Sequence, residues 1–297
     1  MRTRTFSTRD EWLGARREGI GASEAAAILG EHPWKSRYQL WAEKTGAIEA
    51  DDLAGNEPAE FGIRLEKPIA EAYADRTERR LIMPPPFTLH QHEQYDWMLA
   101  TPDAFQESDD SDSPWLLQIK TCNAFKSKDW ADEPPIEYQI QVQHEMAVCN
   151  CEWATLVVLI GGQRLRYFDV ARNNKFIAAL IEQEQRFWEM VQRGTPPEVD
   201  ASKATTSAIA KLFPFDDGES VALPPEAIGW DDRMREVNEQ IEKLEWEKAL
   251  LMNQLKAAIG THTVGMLPNG QIWTFKTQTR REHIVKESTF RVLRRKK

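Results

Sequence analysis

The chain has 297 residues, with 38 Lys and Arg against 47 Asp and Glu for a formal charge of −9, and it is 41% hydrophobic and 29% charged. That composition excludes a collagen-like, disordered or membrane-spanning protein, since no apolar run approaches the ~20 residues of a membrane span; it suits one large domain or a core with an appendage. Five Arg against Asp10 and Glu11 give residues 1–17 a balance of +3, eight Lys and Arg against Glu282 and Glu287 give residues 280–297 +6, and the body between carries −18, a poor distribution for coating DNA non-specifically but compatible with a locally basic groove or with acids gathered around a metal ion.

The N-terminal segment MRTRTFSTRDEW lacks the apolar stretch of a signal peptide. Cys122, Cys149 and Cys151 cannot all pair within one chain and have no zinc-site spacing, so a reducing cytoplasm is the expected setting. GASEAAAILG reads as a short helix with Ser23 as its N-cap and Gly30 as its stop. A second helix is predicted over about 57–76, with Phe61, Leu65, Ile69 and Tyr73 on one buried stripe. Pro58 suits its first turn, whereas Pro68 should kink it or split it in two.

Two strands are predicted next, over 95–101 and 115–121, separated by the polar loop ESDDSDSP. Pro134 and Pro135 lead into a helix at about 136–148. WATLVVLIGG then reads as a strand buried on both faces, QRLRYFDV as its hairpin partner, and a helix at about 175–192 closes the unit. The order implies an α/β core with a mixed sheet flanked by helices. This core is assigned to 1–200, a linker to 201–226, and a C-terminal region to 227–297. In the last, Met234, Val237, Ile241, Leu244, Lys248, Leu251, Leu255 and Ala258 step by three and four along one long helix, followed by a hairpin around Pro268 and Asn269 and a basic tail. A seam of that length serves equally for packing on its own protein or for a coiled coil with another subunit.

The chemistry-bearing residues cluster in ATPDAF and WLLQIKT. Strand side chains alternate, so Gln118 and Lys120 point to one face, and Asp103 reaches the same face if the two strands pair. A carboxylate, a second oxygen ligand and an ammonium would then converge, which is equipment for metal-assisted phosphodiester hydrolysis. Taken alone, PD-x(14)-Q-x-K fits a turn aspartate and a solvated strand face as well.

Five ordered blocks go further. They are Trp12, Arg16 and Ser23 in W-x(3)-R-x(6)-S; Gly62 and Glu66 in G-x(3)-E; Asp103 in TPDA; Gln118 and Lys120 in QIKT; and Tyr138, Gln141, Gln143 and Met146 in Y-x-x-Q-V-Q-x-x-M. Through them residues 8–195 resemble the YqaJ family of phage-type exonucleases and recombinases, to which the lambda exonuclease is similar, within the PD-(D/E)XK nuclease superfamily. The resemblance implies a restriction-endonuclease-like core in which Glu66, Asp103, Gln118 and the carbonyl of Ile119 hold Mg²⁺, with Mn²⁺ able to substitute. Lys120 would be the catalytic lysine, with Gln141 beside it, Tyr138 one turn earlier, and Gln143 also on the DNA. Arg16 and Ser23 match residues that bind a 5′-terminal phosphate. By the same resemblance the activity is 5′-to-3′ degradation of one strand at double-stranded DNA ends, leaving 3′ overhangs for a single-strand annealing protein. It further implies a homo-oligomer, a trimer by likeness to the lambda enzyme, acting in the cytoplasm of a bacterial host on behalf of a phage or prophage, without a membrane.

One position departs from the family, which usually has Glu where this chain has Gln118. An amide oxygen can still ligate a cation but brings no charge, leaving Asp103 and Glu66 as the two anions. Three readings follow: an active natural variant, an isosteric Glu→Gln replacement that traps DNA, or a DNA-end-binding relative without activity. An endonuclease of the same fold is a further alternative. His90, His92 and His144 complete no ligand set, and three cysteines cannot hold the four-cysteine iron–sulfur cluster found in some members of the superfamily.

Overall fold

The structure, a computed structural model, describes residues 1–50, 55–107, 114–280, 282, 287 and 289–295, which form two units, Met1–Pro214 and Phe215–Lys297. The first is built around a five-stranded sheet in the order β3 (Leu81–Ile82), β6 (Ala104–Gln106), β7 (Trp115–Cys122), β8 (Trp153–Ile160) and β9 (Arg164–Ala171). Strands β7 and β8 run parallel and the other neighbours antiparallel, so the sheet is mixed. A parallel pair needs a crossover, supplied here by a 3₁₀ segment, Ala124–Trp130, and helix α5 (Ile136–Cys149).

Helices cover both faces of this sheet, which is why β8 is apolar apart from the buried, hydrogen-bonded Thr155. On one face Ile69, Ala70 and Tyr73 of α4 (Glu57–Thr77) pack on Ala104, Leu117, Ile119 and Val157. On the other, Val142 and Met146 of α5 pack on Leu116, Ala154 and Leu156. Each such fully buried side chain contributes about 1.5–3 kcal/mol. The odd-numbered residues of β7 therefore face α4, and Gln118 and Lys120 face α5. Helix α4 runs unbroken through Pro68, contrary to the expected kink or split. Pro68 and Arg64 are both exposed, so the Arg64 carbonyl that loses its helical donor meets water. Phe61, expected on the buried stripe, is 54% exposed.

A second sheet has the order β1 (Arg2–Thr5), β4 (Thr88–Gln91), β5 (Met98–Ala100) and β2 (Ile20–Gly21). The strand read over 95–101 therefore does not pair with the one over 115–121. Strand β5 joins β4 and β2, and the separate short strand β6 pairs with β7. Pro102 divides them, because it cannot donate to a ladder. The acidic loop predicted between the strands falls on 108–113, outside the described residues.

Around these sheets lie α1 (Arg9–Arg17), closed by a capping box of Thr8 and Glu11, α2 (Ala25–Leu29), α3 (Arg37–Lys44) and α6 (Asn174–Arg193). The segment read as a linker contains α7 (Lys203–Leu212), capped by Ser202. Its Thr205 hydroxyl donates to Ser36 Oγ at 2.8 Å and Ala208 is fully buried, so the first unit extends to Pro214. Small Thr and Ala side chains bring α7 close to its support without the long apolar residues that advertise a helix. In the second unit, α8 (Ala227–Ile259) leads to the hairpin of β10 (Val264–Met266) and β11 (Ile272–Thr274). Met234, Ile241, Leu244 and Leu251 of its seam are exposed, and in the basic tail Arg295 Nε donates to Asp231 Oδ1 at 2.8 Å. Among the described residues no helix is long and apolar enough to cross a membrane.

A buried polar pair ties α5, α6 and β5 together. His144 Nδ1 lies 2.7 Å from Glu184 Oε1, and its Nε2 lies 3.0 Å from the Leu99 carbonyl. Burial would push the His144 pKa down, but the charge and hydrogen bond of Glu184 and the Leu99 carbonyl raise it above the ordinary value. Stability from this pair is therefore complete below the ordinary histidine pKa of 6.5 and is lost as pH rises through the raised folded value. Replacing His144→Leu leaves Glu184 buried without its partner and should cost about 3–5 kcal/mol in urea unfolding at pH 6; a loss below ~1 kcal/mol would show the pair to be dispensable.

Candidate active site

Strand β6 pairs with β7 only from Ala104↔Leu117 to Gln106↔Trp115, so past Leu117 that edge of β7 has no strand partner. Asp103, immediately before β6, takes its place: the Ile119 N–H donates to Asp103 Oδ2 at 2.6 Å. The N–H and C=O of one strand residue point to the same side, so the Ile119 carbonyl also faces the open edge. Gln118 hydrogen-bonds the Asp103 carboxylate, while its own Oε1 is buried with no partner. Glu66 reaches the edge from α4, in a cleft of about 240 Å³ lined by Pro58, Ile63, Glu66, Ile119, Lys120 and Thr121. A Cβ at Gly62 would meet Thr121 Oγ1 only at 3.9 Å, so steric need does not explain glycine there.

The electrostatics record a missing counter-charge. Burial raises the Asp103 pKa, opposed by Lys120, the Ile119 N–H and Gln118. Burial, then repulsion from Asp103, pushes Glu66 up to about 7 against the pull of Lys120. Two carboxyls, an orphaned amide oxygen and an open-edge carbonyl form a set of hard oxygen donors of the kind a divalent cation takes. The donors fit the implied metal, although among the described residues no three His, Cys, Asp or Glu side chains lie close enough to hold one by themselves.

Helix α5 presents Tyr138, Gln141 and Glu145 at i, i+3 and i+7, one face of the helix. Lys120 Nζ lies 5.2 Å from the centroid of the Tyr138 ring, which stacks on Trp130 at 5.2 Å. Gln141 Nε2 donates to Glu145 Oε1 at 2.9 Å. Glu145 escaped the sequence reading. It is 1% exposed, its Oε2 has no partner, and burial pushes its pKa up to about 7, with Gln141 and Lys120 opposing and Asp103 reinforcing. The only signal for it in the sequence was its place one turn after Gln141 on the same face.

Gln143 is a correction. Two residues along a helix point it away from Gln141, and its amide is consumed elsewhere: Nε2 donates to the Ala171 carbonyl at 2.8 Å and Oε1 accepts from Asn173 N–H at 2.9 Å. It clamps the β9–α6 junction and is not free for DNA.

The Arg16 guanidinium lies 4.7 Å from the centroid of a Trp12 ring and has no carboxylate partner among the described residues. It rests against Gly21, where an added Cβ would come within 3.3 Å of its Nη2. Ser23 lies two residues further on, in a 3₁₀ turn, Ala22–Glu24, with its side chain exposed. It is not the N-cap expected of it. Gly21 holds that position, and Glu24 caps it by accepting from Gly21 N–H at 2.8 Å. Lys44 in turn neutralises Glu24 at 2.7 Å and donates to the Arg16 and Gly19 carbonyls. Helix α5 packs on this turn, with Ile140 against Ala25 and Ala26. The structure thus gathers Glu66, Asp103, Gln118, Ile119, Lys120 and Tyr138 at one strand edge, Gln141 on the α5 face that carries Tyr138, and Arg16 near Ser23 on the segment beneath α5.

The family model for a YqaJ-like viral recombinase domain matches residues 11–152. The YqaJ protein of Bacillus subtilis (strain 168) is 30% identical over 269 residues, spanning 89% of this chain and 82% of that protein. Among solved structures, the alkaline exonuclease LHK-Exo from Laribacter hongkongensis matches with a TM-score of 0.52 at 20% identity, over 63% of this chain and 94% of that one. Its complex with dAMP matches at 0.52 and 22% identity, with the same coverage. The likeness to LHK-Exo is one of fold.

Cation binding at this edge must displace protons from Glu66. A carboxyl raised to about 7 is mostly neutral at pH 6, so Mn²⁺ affinity should climb steadily from pH 5.5 to pH 7.5, with proton release detectable calorimetrically in buffers of different ionisation enthalpy. An affinity that is flat across this range would contradict the assignment of Glu66 to the cation.

Proposed function

The chain belongs to the YqaJ-like viral recombinase family, and on that premise we propose that it is a divalent-metal-dependent exonuclease that degrades one strand of duplex DNA from a 5′ end. The observation that carries the reading is the 2.6 Å hydrogen bond from Ile119 N–H to Asp103, which sets a carboxylate, an orphaned Gln118 oxygen and Lys120 on one open strand edge opposite Glu66. Asp103, Glu66, Gln118 Oε1 and the Ile119 carbonyl would hold Mg²⁺ or Mn²⁺, which when bound polarises the scissile phosphate and acidifies a water.

The chain's own groups supply the rest. Lys120 sits over the Tyr138 ring and acts electrostatically on Asp103 and Glu66, where it can position the attacking water or offset charge developing on the phosphate. Gln141 extends the same wall of the site from α5. Arg16, held on the Trp12 ring with no carboxylate partner among the described residues, can grip a terminal 5′-phosphate through two parallel hydrogen bonds, with the exposed Ser23 hydroxyl as a further donor. That pairing supports the 5′ polarity. A 3′ overhang handed to a single-strand annealing protein in the host cytoplasm, and a ring-shaped trimer whose inner wall alone need attract DNA, belong to the same proposal. Gln118 favours one second reading, a DNA-end-binding protein in which loss of the third carboxylate has cost catalysis.

Linear 5′-phosphorylated duplex incubated with Mg²⁺ or Mn²⁺ should release mononucleotides, and closed circles should survive. Lys120→Ala and Asp103→Asn should each slow release by roughly 10²–10⁴-fold. Arg16→Ala should raise KM about tenfold or more on 5′-phosphorylated ends and little on 5′-hydroxyl ends. End binding that is unchanged by Lys120→Ala, with no nucleotide released even in Mn²⁺, would establish the end-binding reading instead.

A further inference from the structure

The cation edge holds two carboxylates, Glu66 and Asp103, yet a third lies on the helix packed over it. Glu145 is 1% exposed, has Oε1 hydrogen-bonded only to the neutral Gln141 amide, and has Oε2 with no partner. Among the described residues no Lys or Arg forms an ion pair with it, and Lys120 and Asp103 are charges it senses. Desolvation strongly disfavours the charged form of a carboxyl buried so, with no ion pair to offset it. A second orphan stands on the same side of the sheet: Gln118, 5% exposed, keeps Oε1 unpartnered while its amide binds Asp103. Even-numbered β7 residues face α5, and Glu145 shares its helix face with Tyr138, which touches Lys120. Two buried oxygens without donors thus occupy the interface of one strand and one helix, which is where a hydrated cation would supply the missing positive charge and O–H groups.

We propose that Glu145 is the third anion of the cation site, acting from α5 as a positioning residue whose free oxygen accepts a hydrogen bond from a water on the metal, while Gln118 contributes only a neutral oxygen from β7. The charge that a strand carboxylate would bring has moved to the facing helix. Mg²⁺ keeps several of its waters in protein sites, and outer-shell acceptors of those waters hold both affinity and ligand orientation. This rests on the reading of the cleft as a nuclease cation site.

The test is Mn²⁺ binding to the full-length protein, followed by electron paramagnetic resonance, for the wild type and for Glu145→Gln, Gln118→Glu, their double variant and Asp103→Asn. Glu145→Gln keeps the shape and the Gln141 hydrogen bond, so it should unfold at or above the wild-type temperature without metal. It should nevertheless bind Mn²⁺ at least tenfold more weakly. Moving the charge back, in Glu145→Gln combined with Gln118→Glu, should restore affinity to within about threefold of wild type. Unchanged affinity in Glu145→Gln, or loss that Gln118→Glu fails to restore, overturns the role given to Glu145 while leaving the nuclease reading standing. Wild-type protein whose Mn²⁺ binding is absent, or indifferent to Asp103→Asn, overturns the nuclease cation site and this inference with it.

Discussion

Carboxyl groups held at an open strand edge, with too little positive charge to balance them, organise the half of the first unit that carries the candidate site. Asp103 is fixed there by a hydrogen bond from the Ile119 backbone, and Glu66 is brought against it from α4. Burial raises both pKa values, and repulsion from Asp103 adds to the rise at Glu66, against the pull of the Lys120 ammonium. Such an arrangement is unfavourable in an isolated chain and becomes favourable when a divalent cation enters. The fold holds the carboxylates in place at that cost, through the packing of Ile69, Ala70 and Tyr73 on β6, β7 and β8.

The parallel pairing of β7 with β8 is what adds the second wall. Its crossover must pass over one face of the sheet, and so α5 lies above Gln118 and Lys120 with Tyr138, Gln141 and Glu145 turned towards them. The termination of β6 at Ala104 is equally necessary. Continued pairing in the same register would set Pro102 opposite Ile119 and close the edge. The buried His144–Glu184 pair lies on the same helix, fastening α5 to α6 and to the Leu99 carbonyl of β5, so the residues that face the cleft ride on an element anchored from behind.

To handle DNA as proposed, an acidic chain must keep some cations from being neutralised by its own carboxylates. Among the described residues several lie on aromatic faces with no ion pair, including Arg16 on Trp12 at 4.7 Å, Lys126 on Trp34 at 4.8 Å and Lys120 on Tyr138 at 5.2 Å. A ring orients a cation without cancelling its charge. Lys44, by contrast, is spent inside the protein on Glu24 and two carbonyls, where it stiffens the turn beneath Ser23. Much of this was legible in the sequence. TPDA and QIKT revealed themselves because strand alternation alone puts Gln118 and Lys120 on one face, and the length and buried character of β8 follow from its nearly unbroken apolar run. What was not legible depends on contacts across the fold. The short strand β6 beyond Pro102 was not read at all, Gln143 sits on the far face of a helix whose motif spans both faces, and Glu145 is recognisable only once α5 is laid on β7. Helix α7 escaped because its docking uses Thr205 and Ala208 rather than a stripe of large apolar residues.

The account is tested most directly by anomalous diffraction from crystals grown with Mn²⁺. It requires one manganese peak at the edge of β7, about 2.1 Å from oxygens of Asp103, Glu66 and Gln118 and from the Ile119 carbonyl. A fully ordered edge at saturating Mn²⁺ with no peak there, and Glu66 hydrogen-bonded to Asp103 across an empty gap, would contradict it.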